Sequence, residues 1–113
     1  MLYVRHTLLT IDATKKDSLV SKLTALLDAR KGRDGLRAYR VNISDPRTGL
    51  EKGGENRMCI MAVFDDKDAA DADTGNATSL RESLAEFLIG DGSPLIREGE
   101  IIWSFDAEGV AGR

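Results

Sequence analysis

Apolar positions along this chain follow two alternating rhythms. Residues 2–11 hold Leu2, Tyr3, Val4, Leu8, Leu9 and Ile11, a β-rich run that reads as a first strand. Thr14, with Asp17 in capping-box spacing, then opens a helix. Leu19, Val20, Leu23, Leu26 and Leu27 recur at helical spacing, and Lys22, Asp28 and Arg30 take the opposite side. Gly32 or Gly35 supplies the helix stop. Residues 36–44 predict a second strand, closed by Asp45-Pro46 because proline brings no ladder donor. A glycine-bearing connection over 47–56 leads to a third strand over 57–65, so strands two and three form a hairpin. Residues 67–73 suit one or two helical turns, and Gly75-Asn76 interrupts them. Ser79 with Glu82 opens a second long helix with an apolar stripe of Leu80, Leu84, Phe87 and Leu88, and the stretch 90–94 stops it. Residues 100–106 predict the fourth strand, and the tail after Ala107 is small, polar and frayed.

The resulting order, β-α-β-β-α-β, is that of an α+β, ferredoxin-like domain: a four-stranded antiparallel sheet with both helices on one face. With 113 residues, the chain has room for a single domain over 1–113.

Helices cover one face of such a sheet, and a face meeting water calls for alternation of apolar and polar residues. Strand three instead runs Met58, Cys59, Ile60, Met61, Ala62, Val63, Phe64. Strand four, as predicted, carries Ile101, Trp103 and Phe105 on one side and Ile102 on the other. Leaving about six large apolar side chains in water forgoes roughly 9–18 kcal/mol, against a whole-domain stability of about 5–15 kcal/mol. The expectation is a homodimer through the sheet faces. The alternative is a monomer whose loops or tail fold over the sheet, and the tail 108–113 is too short and polar for that.

Composition sharpens the picture. A net charge of −3 argues against nucleic acid as a partner, and no apolar run approaches the roughly 20 residues of a membrane span. The opening residues lack a basic leader and a small-residue cleavage site, and the single cysteine forms no internal disulfide, so the expected location is cytoplasmic. Charge is unevenly spread: residues 30–57 hold eight basic against four acidic side chains, and residues 65–86 two against seven. Such asymmetry either steers an anionic ligand or reflects two solvated faces.

The opening YVRHTLLTI, the helix DSLVSKLTALLDARKG, the strands GLRAYRVNIS and MCIMAVFDDKDAA and the helix SLRESLAEFL together resemble the dimeric α+β barrel superfamily, and within it the antibiotic biosynthesis monooxygenase-like domains. The resemblance spans about residues 2–106 and is one of layout and hydrophobic pattern. It implies a pocket between sheet and helices for an aromatic or polyketide-like small molecule, and activation of dioxygen with no added metal or flavin cofactor. Haem-degrading relatives use an asparagine on strand one with a tryptophan and a histidine on or near the second helix. Thr7 stands at the asparagine's place and the second helix holds neither partner, so haem degradation is not expected. The other reading is a non-catalytic dimeric binding or assembly module that has lost the site.

His6 is the candidate general base, since the ordinary imidazole pKa lies near neutrality. The alternative is a histidine held within the structure or at a dimer edge. Arg40 and Asn42, two apart on strand two, share a face and suit a carboxylate or enolate oxygen. They serve equally as a polar edge or an inter-subunit contact. Arg40 joins His6 as a candidate catalytic residue. Thr7, Tyr39, Asn42 and Trp103 are the candidate ligand-binding residues, Tyr39 and Trp103 by stacking, unless as large strand residues they are core. An isomerase or decarboxylase using His6 as base without oxygen is a third possibility. Cys59 reads as an inert buried thiol. No zinc-ligand spacing is present, and Asp71, Asp73 and Glu82 match a calcium loop only in part, since Gly75 and Asn76 fail at its fifth and sixth positions, so no metal is expected. The glycines around Lys52 lack the GK[ST] ending of a phosphate loop.

Overall fold

The computed structural model describes residues 1–43, 57–89 and 94–105. Its elements run β1 (Tyr3–Thr10), α1 (Lys16–Asp28), β2 (Leu36–Ile43), β3 (Arg57–Phe64), α2 (Lys67–Ala72), α3 (Thr74–Ser83) and β4 (Leu95–Glu100). The four strands form one antiparallel sheet in the order β2-β3-β1-β4, with α1 and α3 on one face. This is the ferredoxin-like α+β arrangement expected from the pattern. The β2–β3 connection over 47–56 and the tail 108–113 lie outside the described residues.

Strand parity decides which face each side chain joins. In β1, Tyr3, Arg5, Thr7 and Leu9 are buried toward the helices, while Val4, His6 and Leu8 are half-buried on the other face. In β3, Met58, Ile60, Ala62 and Phe64 face the helices, and Cys59, Met61 and Val63 do not. The main core joins Leu9, Ile11, Met58 and Ile60 to Leu19 and Leu23 of α1 and to Leu80, Leu84 and Phe87. A second cluster packs Tyr3, Ala62 and Phe64 against Ala70 of α2. Val20, expected in the α1 stripe, is exposed.

Three details differ from the sequence reading. The start of the first helical segment is held by Asp12, whose carboxylate accepts from the Thr14 amide at 3.0 Å and from the Thr14 hydroxyl. These contacts, the hydroxyl first, hold the Asp12 carboxyl below its usual range. Gly75 and Asn76 do not break the chain; they lie in the first turn of α3, where glycine costs little, and Ser79 sits inside that helix. Asp66, which accepts from the Ala69 amide at 2.8 Å, caps α2. The fourth strand is not 100–106 but Leu95–Glu100, paired with β1 from Tyr3↔Glu100 to Leu8↔Leu95. The stretch LIREGE has weak strand propensity, but its register places Glu98 opposite Arg5 and satisfies a buried cation. The more strand-like residues 101–105 follow it.

Candidate functional site

The sheet's outer face has a simple row structure. Across the four strands, Arg40, Met61, His6 and Arg97 stand opposite one another. On one side of this row lie Ala38, Val63, Val4 and Gly99; on the other lie Asn42, Cys59, Leu8 and Leu95. Polar groups are thus set in one band between two mostly apolar ones. A concavity of about 690 Å³ opens on this face, with His6 and Arg40 in its wall and Val4, Ala38, Met61 and Val63 among its apolar lining. His6 and Arg40 are two strands apart, about 10 Å at the usual interstrand spacing. The Arg40 guanidinium donates to the Tyr39 carbonyl at 3.3 Å. Asn42 shares the face one row further along, opposite Cys59. Burial pushes the Cys59 thiol above its ordinary value, away from the reactive thiolate.

Thr7 and Tyr39 take the other face. They line a gap between sheet and α3 together with Arg5, Asp73 and Arg81, and its volume is only about 30 Å³. That is space for about one water. The gap is closed by a charge cluster that the sequence reading missed. Arg5 is only 6% exposed, and its guanidinium donates to the Ala70 carbonyl at 2.7 Å. Glu98 lies 3.4 Å from Nε, Asp73 lies 3.8 Å from Nη1, and the group sits 5.3 Å from the Phe64 ring centre. Burial, and then the charge of Asp73, raise the Tyr39 phenol above its usual pKa, with Arg30 pulling the other way. The signal for Arg5 was parity: it shares a side with Tyr3, Leu9 and Ile11.

The structure therefore brings His6, Arg40 and Asn42 to one face and Thr7 and Tyr39 to the opposite one. Trp103 joins neither group; it lies past β4 and is 79% exposed. Among the described residues, no group of three or more His, Cys, Asp or Glu side chains is placed to hold a metal ion, and no helix is long and apolar enough to cross a membrane.

Solved structures share this architecture. A protein of unknown function from Nitrosomonas europaea superposes with a TM-score of 0.68 over 96% of each chain, at 17% identity. A candidate antibiotic biosynthesis monooxygenase from the same organism gives 0.64 over 87% of this chain and 89% of that one, at 13% identity. A dimeric ferredoxin-like protein of unknown function from Jannaschia sp. gives 0.67 over 89% of this chain and 100% of that one, at 18% identity. The chain has the ferredoxin-like α+β fold of these structures. No family model matches the sequence, and no curated protein does. Identities this low carry the fold and not an activity.

Proposed function

We propose that the chain acts as a homodimer with its outer sheet faces apposed, binding an aromatic or polyketide-like small molecule and oxidising it with dioxygen without a metal or flavin. The observation that carries this reading is the concavity of about 690 Å³, which puts His6 and Arg40 on one apolar floor. Ligand cavities commonly span about 300–1,000 Å³ with a few convergent polar groups. The gap beside Thr7 and Tyr39 is too small for such a molecule.

The chemistry suits an electron-rich ring bearing an acidic CH₂ between aromatic rings. His6 accepts a proton from that carbon, and Arg40 stabilises the negative charge on the conjugated oxygen. The carbanion reduces dioxygen and combines with it; the hydroperoxide then loses water to leave a carbonyl. In sum the CH₂ group and O₂ become C=O and H₂O, so no external reductant is needed. Apposition of two sheets would keep the reactive carbanion from water.

The test is oxygen uptake by the purified protein with anthrone or a quinol. Wild type consumes oxygen with product formation, and His6→Ala and Arg40→Ala each lower the rate about 10²-fold or more. No uptake by wild type, or equal uptake by both variants, refutes the catalytic reading. The closure of the Thr7–Tyr39 gap favours a second reading, a dimeric binding or assembly module without catalysis. Native mass spectrometry of protein from extract separates the two: a co-purifying small molecule supports a pocket, and a bare dimer with a protein partner supports the module.

A further inference from the structure

His6 and Arg97 stand directly opposite each other across β1 and β4 on the outer face. Side chains at such positions have Cβ atoms about 5 Å apart. Among the described residues, neither side chain makes a hydrogen bond or an ion pair. The acidic side chains of β4 do not answer them: Glu98 lies opposite Arg5 and Glu100 opposite Tyr3, both on the helix side. No described strand residue of the outer face is acidic. Asp65, just past β3, is ion-paired with Arg37 at 3.4 Å. Around this basic pair the floor is apolar, with Met61 beside His6 and Leu8 and Leu95 in the next row.

A face of this kind has conflicting needs. Its apolar rows call for cover, but covering them with a second copy also takes Arg97 out of water, and no described strand residue of this face is acidic. A guanidinium buried without a counter-charge opposes association. An anion between the sheets removes the conflict, and an aromatic body on that anion fills the space over Met61 and Leu8.

We propose that the outer face binds an aromatic carboxylate, its charge on Arg97, one oxygen accepting from a His6 ring N–H and its ring over the Met61 floor, and that this anion strengthens the face-to-face dimer. The inference rests on reading that face as the dimer interface. It names aromatic carboxylic acids as the ligand class of the His6–Arg97 end of that face, beside the concavity that His6 also lines, and adds Arg97 as a ligand-positioning residue. Binding and association are then linked: whatever factor benzoate adds to dimer affinity, dimerisation adds to benzoate affinity.

The experiment is sedimentation velocity over a protein concentration series at constant ionic strength. The additives are benzoate, benzyl alcohol and inorganic phosphate, and the proteins are wild type and Arg97→Gln, an exposed substitution whose fold is checked by circular dichroism. Benzoate tightens the wild-type dimer about tenfold, while benzyl alcohol and phosphate change it less than about twofold. Arg97→Gln loses the benzoate response and dimerises at least as well as wild type without additive. A response to benzyl alcohol equal to that of benzoate, an equal response to phosphate, or a full benzoate response in Arg97→Gln overturns the proposal. A dimer indifferent to benzoate overturns the anion and leaves the dimer standing; a monomer under every condition overturns both.

Discussion

At Arg5, three demands of a buried guanidinium are met together: a backbone acceptor in Ala70, carboxylates in Glu98 and Asp73, and an aromatic face in Phe64. Such a cluster is weak evidence for net stability, but removing one member strands the others. Arg5→Leu leaves the Asp73 carboxylate, 11% exposed at its side chain, without its cation. The expected loss is about 3–5 kcal/mol, read from urea unfolding; a loss below about 1 kcal/mol shows that water reaches Asp73 freely. Tyr39 gives a prediction with a pH sign. Its folded pKa lies above the ordinary 10.0, mainly through burial. A raised pKa means that folding favours the protonated phenol. The associated stability is complete below pH 10 and is lost as pH rises through the folded value. Phenolate absorbance should therefore appear later for Tyr39 than for free tyrosine, as the difference between wild type and Tyr39→Phe; titration at or below 10.0 contradicts burial as the cause. Neither environment could be read from the residue alone. Arg5 sits in a run whose neighbours are apolar or neutral, and only the β1–β4 register reveals that its counter-ion is 93 residues away.

The α1–β2 turn and α2 meet at one point, Gly35. Its φ of +81° is left-handed, and a Cβ there would stand 2.6 Å from the Ala69 Cβ. Its carbonyl accepts from the Asp65 amide at 2.8 Å, tying the turn to the end of β3. Gly35→Ala therefore meets both backbone strain of about 1–2 kcal/mol and overpacking of about 1–3 kcal/mol. Adding Ala69→Gly relieves the clash and not the strain, so the double variant should recover part of the loss measured by thermal unfolding; no recovery locates the whole effect in the backbone. Elements with their own periodicity, β1, α1, β2 and β3, were legible because a buried stripe has to repeat. So was the stripe of Leu80, Leu84 and Phe87, although the long helix expected from Ser79 is instead α3, Thr74–Ser83, which holds only Leu80, while Phe87 sits in a following 3-10 turn, Ala85–Phe87. The fourth strand was not legible. Its charges look solvated in isolation, while Ile101, Trp103 and Phe105 have the stronger β propensity. Pairing with β1 outweighs that propensity through one ion pair and an unbroken ladder. The division of candidate residues between two faces follows from parity in β1 and β2, which was readable. Which face faced the helices was not, because each carries both apolar and polar side chains.

Displacement of β4 toward the N-terminal side changes what the whole molecule presents. Ile101 still donates to the Leu2 carbonyl at 2.8 Å, and with Ser104 it borders the outer-face concavity. Ile102, Trp103 and Phe105 are left 90%, 79% and 77% exposed. Full exposure of each forgoes roughly 1.5–3 kcal/mol of burial, at the border of a face already half apolar. One association event that covers the sheet and this segment together recovers both terms, which is the physical case for a two-fold pair. Trp103 is the chain's single tryptophan, so it reports on this directly. As protein concentration rises through the dimerisation range, its emission should move to the blue and its quenching by iodide should fall, in step with the mass from light scattering. Trp103→Ala should weaken association by about 2 kcal/mol or more, the usual size of a central aromatic contact, without loss of secondary structure. If scattering reports a dimer while Trp103 emission and quenching stay at their dilute values, the segment 101–105 lies outside the interface. The sheet face alone must then hold the pair together.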